Sequence, residues 1–432
     1  MMTFQRILFV SVVLLLVGLI QGCSVPKNKL SLYQRSMVID NEQTANTILA
    51  KATMQVIDEQ GLEGLNIVSV SGTPYEMGFQ HGVLLRDEIQ VMYSKIIRRA
   101  KIFSSEQMMA ELYDLMEPYI PIEEKEEMRG LAHGADVPLR LVHWIHMIPG
   151  VAEHGAKKKF RRGFSSSSCS NVVAFGQATA DGELYQLRVL DWMRELGVQQ
   201  WPLILVHRPK VGYASVSYTY SGFIGSVSGM NEQKLAFGEM GYGDPANETL
   251  EGMPFIFLFR KLQREASNLQ EVEQIIRSVQ RTNSFVYMIS DVKATAGEPN
   301  ALLFITDRDR VLTFGENTLL IDEREKKRKK KVEKYLPIND VVYAGAKGPA
   351  LYENLQNYYG ELNLETLQQM TEAVSLKSNM HNVVFRPATL ESWVSNASMA
   401  NGNAGKASHQ RWFYFNFADS LTATALLDKG AQ

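Results

Sequence analysis

Ser165-Ser166-Ser167-Ser168-Cys169-Ser170-Asn171 runs directly into Val172-Val173-Ala174-Phe175, and the character of the chain changes at the cysteine. Before it, Glu153 to Ser168 (EHGAKKKFRRGFSSSS) is basic, serine-rich and without hydrophobic period, and reads as an exposed, mobile loop. After it, β-branched and apolar residues signal a strand. A cysteine at the head of a strand, delivered by an accessible loop, is what a chain needs if it is to cut itself just before a nucleophile. The freed α-amine then serves as general base, a task it suits because its unperturbed pKa is about 7.7 to 8.

Downstream, the turn Asp181-Gly182 leads into ELYQLRVLDW, a strand expected to pair beside the first and to carry Arg188 and Asp191. A guanidinium near the sulfur favours the thiolate, and a carboxylate can hold the α-ammonium or the arginine. Side chains three apart on a regular strand face opposite ways, so the two share a site only if the strand bends or ends there. An ordinary ion pair is the other reading. Further short β-rich runs (WPLILVH, YASVSYTY, FVYMISD) follow, with helical spacing over Pro254 to Gln280 and Pro349 to Leu376. Upstream, Gly82 to Phe103 and Ser105 to Leu131 have helical spacing, with Val83, Ile89, Met92 and Ile96 on one face. The pattern predicts an α+β fold of packed sheets with helices outside. The charge run Glu323 to Lys334 reads as a solvated loop between strands, with attraction to anionic head groups as the alternative.

The N-terminus places Arg6 before an apolar run, Ile7 to Ile20, and then Gln21-Gly22-Cys23-Ser24. The run is short for a permanent span, which needs about 20 apolar residues, and has the layout of a signal peptide. Its end looks like a lipobox: residues 1–22 are removed, Cys23 is acylated, and 23–45 form a polar tether. The expected location is the bacterial cell envelope, lipid-anchored, in the outer membrane facing the periplasm. Cys23 and Cys169 are the only cysteines, so a lipid on the first leaves the second as a lone thiol. A net charge of −2 and 45% hydrophobic residues mark ordinary globular composition and give no case for nucleic acid as a partner.

Four blocks carry a resemblance: GTPYEMGFQHGVLLRDEI from Gly72, CSNVVAFGQATADGELYQLRVLDW from Cys169, GMNEQKLAFGEMGYG from Gly229 and MHNVVFRPATLESWVSNA from Met380. RTNSFVYMISD from Arg281 and ASHQRW around His409 agree more loosely. Together they resemble the autoproteolytic acyltransferases and hydrolases that include acyl-CoA:6-aminopenicillanic acid acyltransferase, and more distantly the choloylglycine hydrolases. The resemblance implies a four-layer αββα sandwich of the N-terminal-nucleophile hydrolases with a helical N-terminal segment. It implies a segment 46–168 that stays bound after cleavage, and a catalytic core over 169–432. It implies attack on a C–N amide bond of a small acylated substrate, with no metal or organic cofactor. The nucleophile role falls on Cys169 and supporting roles on Arg188 and Asp191, which match the Arg-x-x-Asp of bile salt hydrolases; Asn231 matches the asparagine that shapes the turn beside the site. The oxyanion-hole asparagine expected ten residues beyond is replaced by Gly241, and a second expected asparagine has no clear counterpart. The oxyanion must then be met by backbone N–H groups of a Gly-rich 238–243 turn, by Asn171 or by His381. Glu239 is a site residue or a buried structural carboxylate. Ser168 stands before the cut where the family often has glycine.

His143-x-x-His146 has helical spacing but no third ligand nearby, so packing or capping is the reading there rather than metal. His81 is expected in a structural role at a helix start, and His409 as a core or pocket-lining histidine. SGFIGSVSGMN lacks the context of a phosphate loop, and Val227 stands where a serine-hydrolase elbow needs its nucleophile. Two alternatives stay open: a lipid ester or amide hydrolase of the same fold, and a non-catalytic binding lipoprotein.

Overall fold

The structure, a computed structural model, describes residues 42–101, 105–159, 169–242, 247–318, 336–345 and 348–422. The signal peptide, Cys23, most of the tether, residues 160–168 of the loop before Cys169 and the charge run Glu323 to Lys334 lie outside these. No described helix is long and apolar enough to cross a membrane.

The N-terminal part comprises α1 (Glu42–Leu49), β1 (Thr53–Val56), β2 (Asn66–Gly72) and five helices: α2 (Pro74–Leu84), α3 (Arg86–Ala100), α4 (Glu106–Met116), α5 (Ile122–Ala135) and α6 (Leu139–Lys159). Thr73 starts α2 with a capping box: its hydroxyl accepts the Glu76 N–H, and the Glu76 carboxylate accepts the Thr73 N–H at 2.7 Å. Three expectations change here. The segment is not only helical, because β2 pairs parallel with a core strand and β1 extends that sheet at its edge. Val83 belongs to α2 and packs with Ile48, Tyr75 and Phe79, while Ile89, Met92 and Ile96 share the buried face of α3. The loop expected from Glu153 is helical to Lys159.

The core adds β3 (Ser170–Ala174), β4 (Tyr185–Asp191), β5 (Pro202–Pro209), β6 (Ser215–Tyr220), β7 (Ser228–Asn231), β8 (Leu235–Gly241), α7 (Phe255–Glu265), α8 (Leu269–Ser278), β9 (Phe285–Asp291), β10 (Ala301–Thr306) and β11 (Val311–Phe314). It continues with β12 (Val341–Gly345), α9 (Gly348–Asn357), α10 (Leu364–Val374), β13 (Asn379–Arg386), β14 (Glu391–Asn396) and β15 (Trp412–Asn416). Among the described residues, one sheet has nine strands in the order β1-β2-β5-β6-β7-β8-β9-β10-β11, the other six in the order β12-β3-β4-β13-β14-β15. The sheets meet through β3 and β4 against β8. Helices α7 and α8 cover the first sheet, and α9 and α10 the second, giving the four-layer αββα sandwich. Strand periodicity sorts the faces. Val172, Ala174, Leu187 and Val189 pack towards α9 and α10, so Cys169, Asn171 and Val173, with Gln186, Arg188 and Leu190, look towards the other sheet.

Candidate active site

Cys169 precedes β3 by one residue, and its buried sulfur lies 3.8 Å from the Asp191 carbonyl at the end of β4. The β3–β4 ladder sets Asn171 directly opposite Arg188. Arg188 is fully buried. Its guanidinium donates to the carbonyls of Val227 (3.4 Å) and Val189, and one terminal nitrogen stands 3.6 Å from the Glu239 carboxylate on β8. Asp191 ends its strand, where the neighbouring register shifts between Asn379 and His381, and its carboxylate accepts the Leu376 N–H at 3.0 Å. That strand end lets the backbone of Asp191 reach the sulfur although its side chain leaves the sheet on the other side from Arg188. Burial pushes the Cys169 thiol up to about 11; Arg188 pulls it down, while Glu239 and Asp191 push it up further. In the intact chain at neutral pH the sulfur is therefore protonated.

A cavity of about 70 Å³ opens on this sulfur. Its walls are mostly apolar and aromatic, with Trp192, Tyr220, Phe223, Phe255 and Phe285, and its polar lining includes Asp191 and Glu239. Pro149 and Glu153 from α6 also line it, so the N-terminal segment is part of the pocket.

The remaining candidates separate. Asn171 is buried with both amide atoms unpartnered among the described residues, against Gly238 of β8, where a Cβ would come within 2.0 Å of its oxygen. Asn231 is committed elsewhere: its amide nitrogen donates to the carbonyls of Gln263 (3.1 Å) and Ala266 (2.8 Å), and its oxygen accepts the Leu235 N–H, pinning the β7–β8 turn to the end of α7. His381 lies between the sheets with Nε2 2.8 Å from the Ser228 hydroxyl, and is not in the pocket wall. The expected 238–243 turn is in fact strand as far as Gly241. The Glu239 N–H already serves the Val227 carbonyl and the Tyr242 N–H the Ser284 carbonyl, so these two are not available to an oxyanion. His409 sits at the surface 3.7 Å from Glu372. His81 lies in the last turn of α2 rather than at its start. His143 stacks on Tyr113, while His146 is bonded to backbone on either side.

Sequence reasoning passed over Asn283, whose buried amide nitrogen donates to the Gly150 carbonyl at 2.7 Å, beside the pocket-lining Pro149. Its signal was present in the RTNSF block. The aromatic wall carried no such signal, because its members come from four separate segments.

Two sheets stacked between helical layers, with a cysteine at the head of a central strand, make an αββα sandwich with the thiol between its sheets. Residues 179–310 match the family model described as acyl-coenzyme A:6-aminopenicillanic acid acyl-transferase, a segment that includes Arg188, Asp191, Asn231 and Glu239. Protein dcd1A of Dictyostelium discoideum is 24% identical over 254 residues, 51% of this chain and 54% of that protein. An uncharacterized protein of Archaeoglobus fulgidus is 26% identical over 259 residues, 53% of this chain and 42% of its own length. The chain thus spans about half the length of the curated relatives it matches. Among solved structures, penicillin V acylase from Agrobacterium tumefaciens aligns with a TM-score of 0.36 at 11% identity, over 58% of this chain and 86% of that one.

Proposed function

We propose that this chain is a cysteine N-terminal-nucleophile hydrolase or acyltransferase that cuts itself before Cys169 and then attacks the C–N amide bond of a small acylated molecule. The observation that carries the reading is the lone described thiol at the head of β3, opening on an apolar pocket and flanked by Arg188, Asp191 and Glu239. In the intact chain burial holds the proton on sulfur, so a base is required. Cleavage at Ser168/Cys169 creates one on the same residue, as the α-amine takes the thiol proton. Arg188 favours the resulting thiolate, and Asp191, whose carbonyl lies 3.8 Å from the sulfur, is the carboxylate we assign to the α-ammonium. Sulfur attacks the carbonyl carbon, the amine leaves with the proton from the α-ammonium, and water or a second amine resolves the thioester. Asn171, with its amide uncommitted, is the side-chain donor we assign to the oxyanion. The amide class rests on the resemblance of the matched segment, and the apolar walls suit the acyl part.

We further propose that the mature chain begins at a lipid-bearing Cys23 in the cell envelope, and that residues 46–168 stay with the core after the cut. The two strands contributed to the nine-stranded sheet and the pocket residues on α6 support the second point.

Intact mass of the full chain purified from membranes tests all three points together. The expected result is two co-purifying fragments split at Ser168/Cys169, the first starting at Cys23 with the added mass of its lipid, and one uncut chain for Cys169→Ala. An uncut parent would overturn self-processing. The buried, protonated thiol would then favour the binding-lipoprotein reading.

A further inference from the structure

The connection between β6 and β7, Ser221-Gly222-Phe223-Ile224-Gly225, forms one wall of the Cys169 pocket through Phe223 and Gly225. Backbone polar groups of a connecting loop ordinarily face water. Here they are taken up by helices of the N-terminal segment. His81 on α2 accepts the Gly222 N–H through Nε2 at 3.0 Å, and His146 on α6 accepts the Ile224 N–H through Nε2 at 3.0 Å. Tyr93 on α3 donates its hydroxyl to the Gly222 carbonyl at 2.6 Å, and Glu88 on the same helix accepts the Ser221 hydroxyl. Three helices that lie far from this loop in sequence thus hold three consecutive peptide groups of it.

The protonation pattern is internally consistent. His146 Nδ1 lies 2.7 Å from the Val142 carbonyl and must carry the proton, which leaves a lone pair on Nε2 facing the Ile224 N–H. His81 accepts the Gly222 N–H through Nε2, which puts its proton on Nδ1, a buried atom with no hydrogen-bond partner among the described residues. Burial lowers both rings, to about 3 for His81 and about 4 for His146, so both remain acceptors at neutral pH. The imidazole of His146 also packs on Phe223, ring centres 5.3 Å apart, so the residue that holds the loop touches the side chain that faces the substrate. Gly222 has φ +80, and a Cβ there would come within 2.8 Å of the Tyr93 ring. The loop is fitted to its support as closely as glycine permits.

We propose that His81 and His146 are positioning residues of the acyl pocket: as neutral acceptors they fix the 221–225 loop, so that the N-terminal segment, through Phe223, selects the acyl group. The proposal rests on the reading of Cys169 as a nucleophile served by this pocket. It gives the N-terminal segment a part in substrate choice as well as in processing.

The test compares the full chain with His146→Phe, which keeps ring bulk without an acceptor, and His146→Gln, whose side-chain oxygen can take the Ile224 N–H. Hydrogen exchange is followed in a peptide covering 221–226. His146→Phe is expected to exchange there at least about tenfold faster while β6 is unchanged, and His146→Gln to return within about threefold of the parent. The same proteins are assayed on p-nitroanilides of acids from acetate to dodecanoate and of phenylacetate. His146→Phe should raise KM for the preferred acyl group about tenfold, alter kcat by less than about threefold, and flatten the preference across the series. Unchanged exchange overturns the anchoring. Faster exchange with an unchanged preference overturns the role in selection. If the parent turns over none of these amides, and no more than Cys169→Ala, the amidase reading fails and takes acyl selection with it. The exchange result then decides the anchoring alone.

Discussion

A guanidinium can be buried completely only where its charge and its N–H groups are met. Arg188 meets most of this: Nε and one terminal nitrogen donate to carbonyls, the Glu239 carboxylate 3.6 Å away offsets the charge, and the other terminal nitrogen makes no hydrogen bond among the described residues. Replacing it by methionine leaves Glu239 buried without its nearest cation, and Arg188→Met should cost about 3–5 kcal/mol in urea unfolding. Adding Glu239→Gln should recover part of that loss. Strictly additive costs would show that the two groups are not coupled. Cys169, Arg188 and Asp191 were legible as neighbours because two adjacent strands carry them, whereas Glu239 was open between a site residue and a buried structural carboxylate. Asn231 does shape a turn, as expected, but its amide is taken up by Gln263, Ala266 and Leu235, and His381 is engaged by Ser228; as oxyanion candidates both were placed too near the chemistry, because those partners belong to segments whose approach no local pattern encodes.

Among the helices, α2 and α5 cross with their backbones in contact. A Cβ on Gly130 would lie 2.0 Å from the Tyr75 carbonyl oxygen, and one on Gly78 1.9 Å from that of Glu127. This crossing brings His81 under the pocket loop and Glu127 to His207 and Arg260, each at 3.0 Å. Gly130→Ala must push the helices apart, and should lower Tm by at least about 5 °C. Gly150, where an added methyl group would meet nothing within 4 Å, is the control: Gly150→Ala should leave Tm unchanged or raise it slightly. Equal effects at the two sites would contradict close packing at the crossing. The sequence carries Gly78-x-x-x-Gly82 and Gly130-x-x-x-Gly134, but nothing local shows that they face one another. Helix spans were read well where apolar period and caps agree, as over Pro254 to Gln280 and Pro349 to Leu376. They failed at Glu153 to Lys159, where a polar helix has no apolar face to announce it.

At the scale of the whole molecule, the fold keeps several histidines buried and neutral. Burial lowers His81, His143 and His381 to about 3 and His146 to about 4, and His207 is lowered as well, by burial and then Arg260. The unfolded chain protonates its histidines near 6.5, so between that pH and about 4 it binds more protons than the native state. Stability is therefore fully present above about 6.5 and falls on acidification, and Tm at pH 4.5 should lie at least about 10 °C below that at pH 7.5. A flat profile would mean that these rings take up protons in the folded state. By itself the sequence determined the α+β class, the strand-borne cysteine, the pairing of its strand with the one carrying Arg188, and the helices flanking the sheets. Each follows from local periodicity, turn chemistry or a contiguous motif. Only the tertiary structure decided that the N-terminal part enters the nine-stranded sheet, that the pocket is walled by aromatics from several segments, and that histidines on distant helices hold its loop. Those features depend on the register and approach of elements far apart in the chain, where burial and hydrogen-bond satisfaction are settled together.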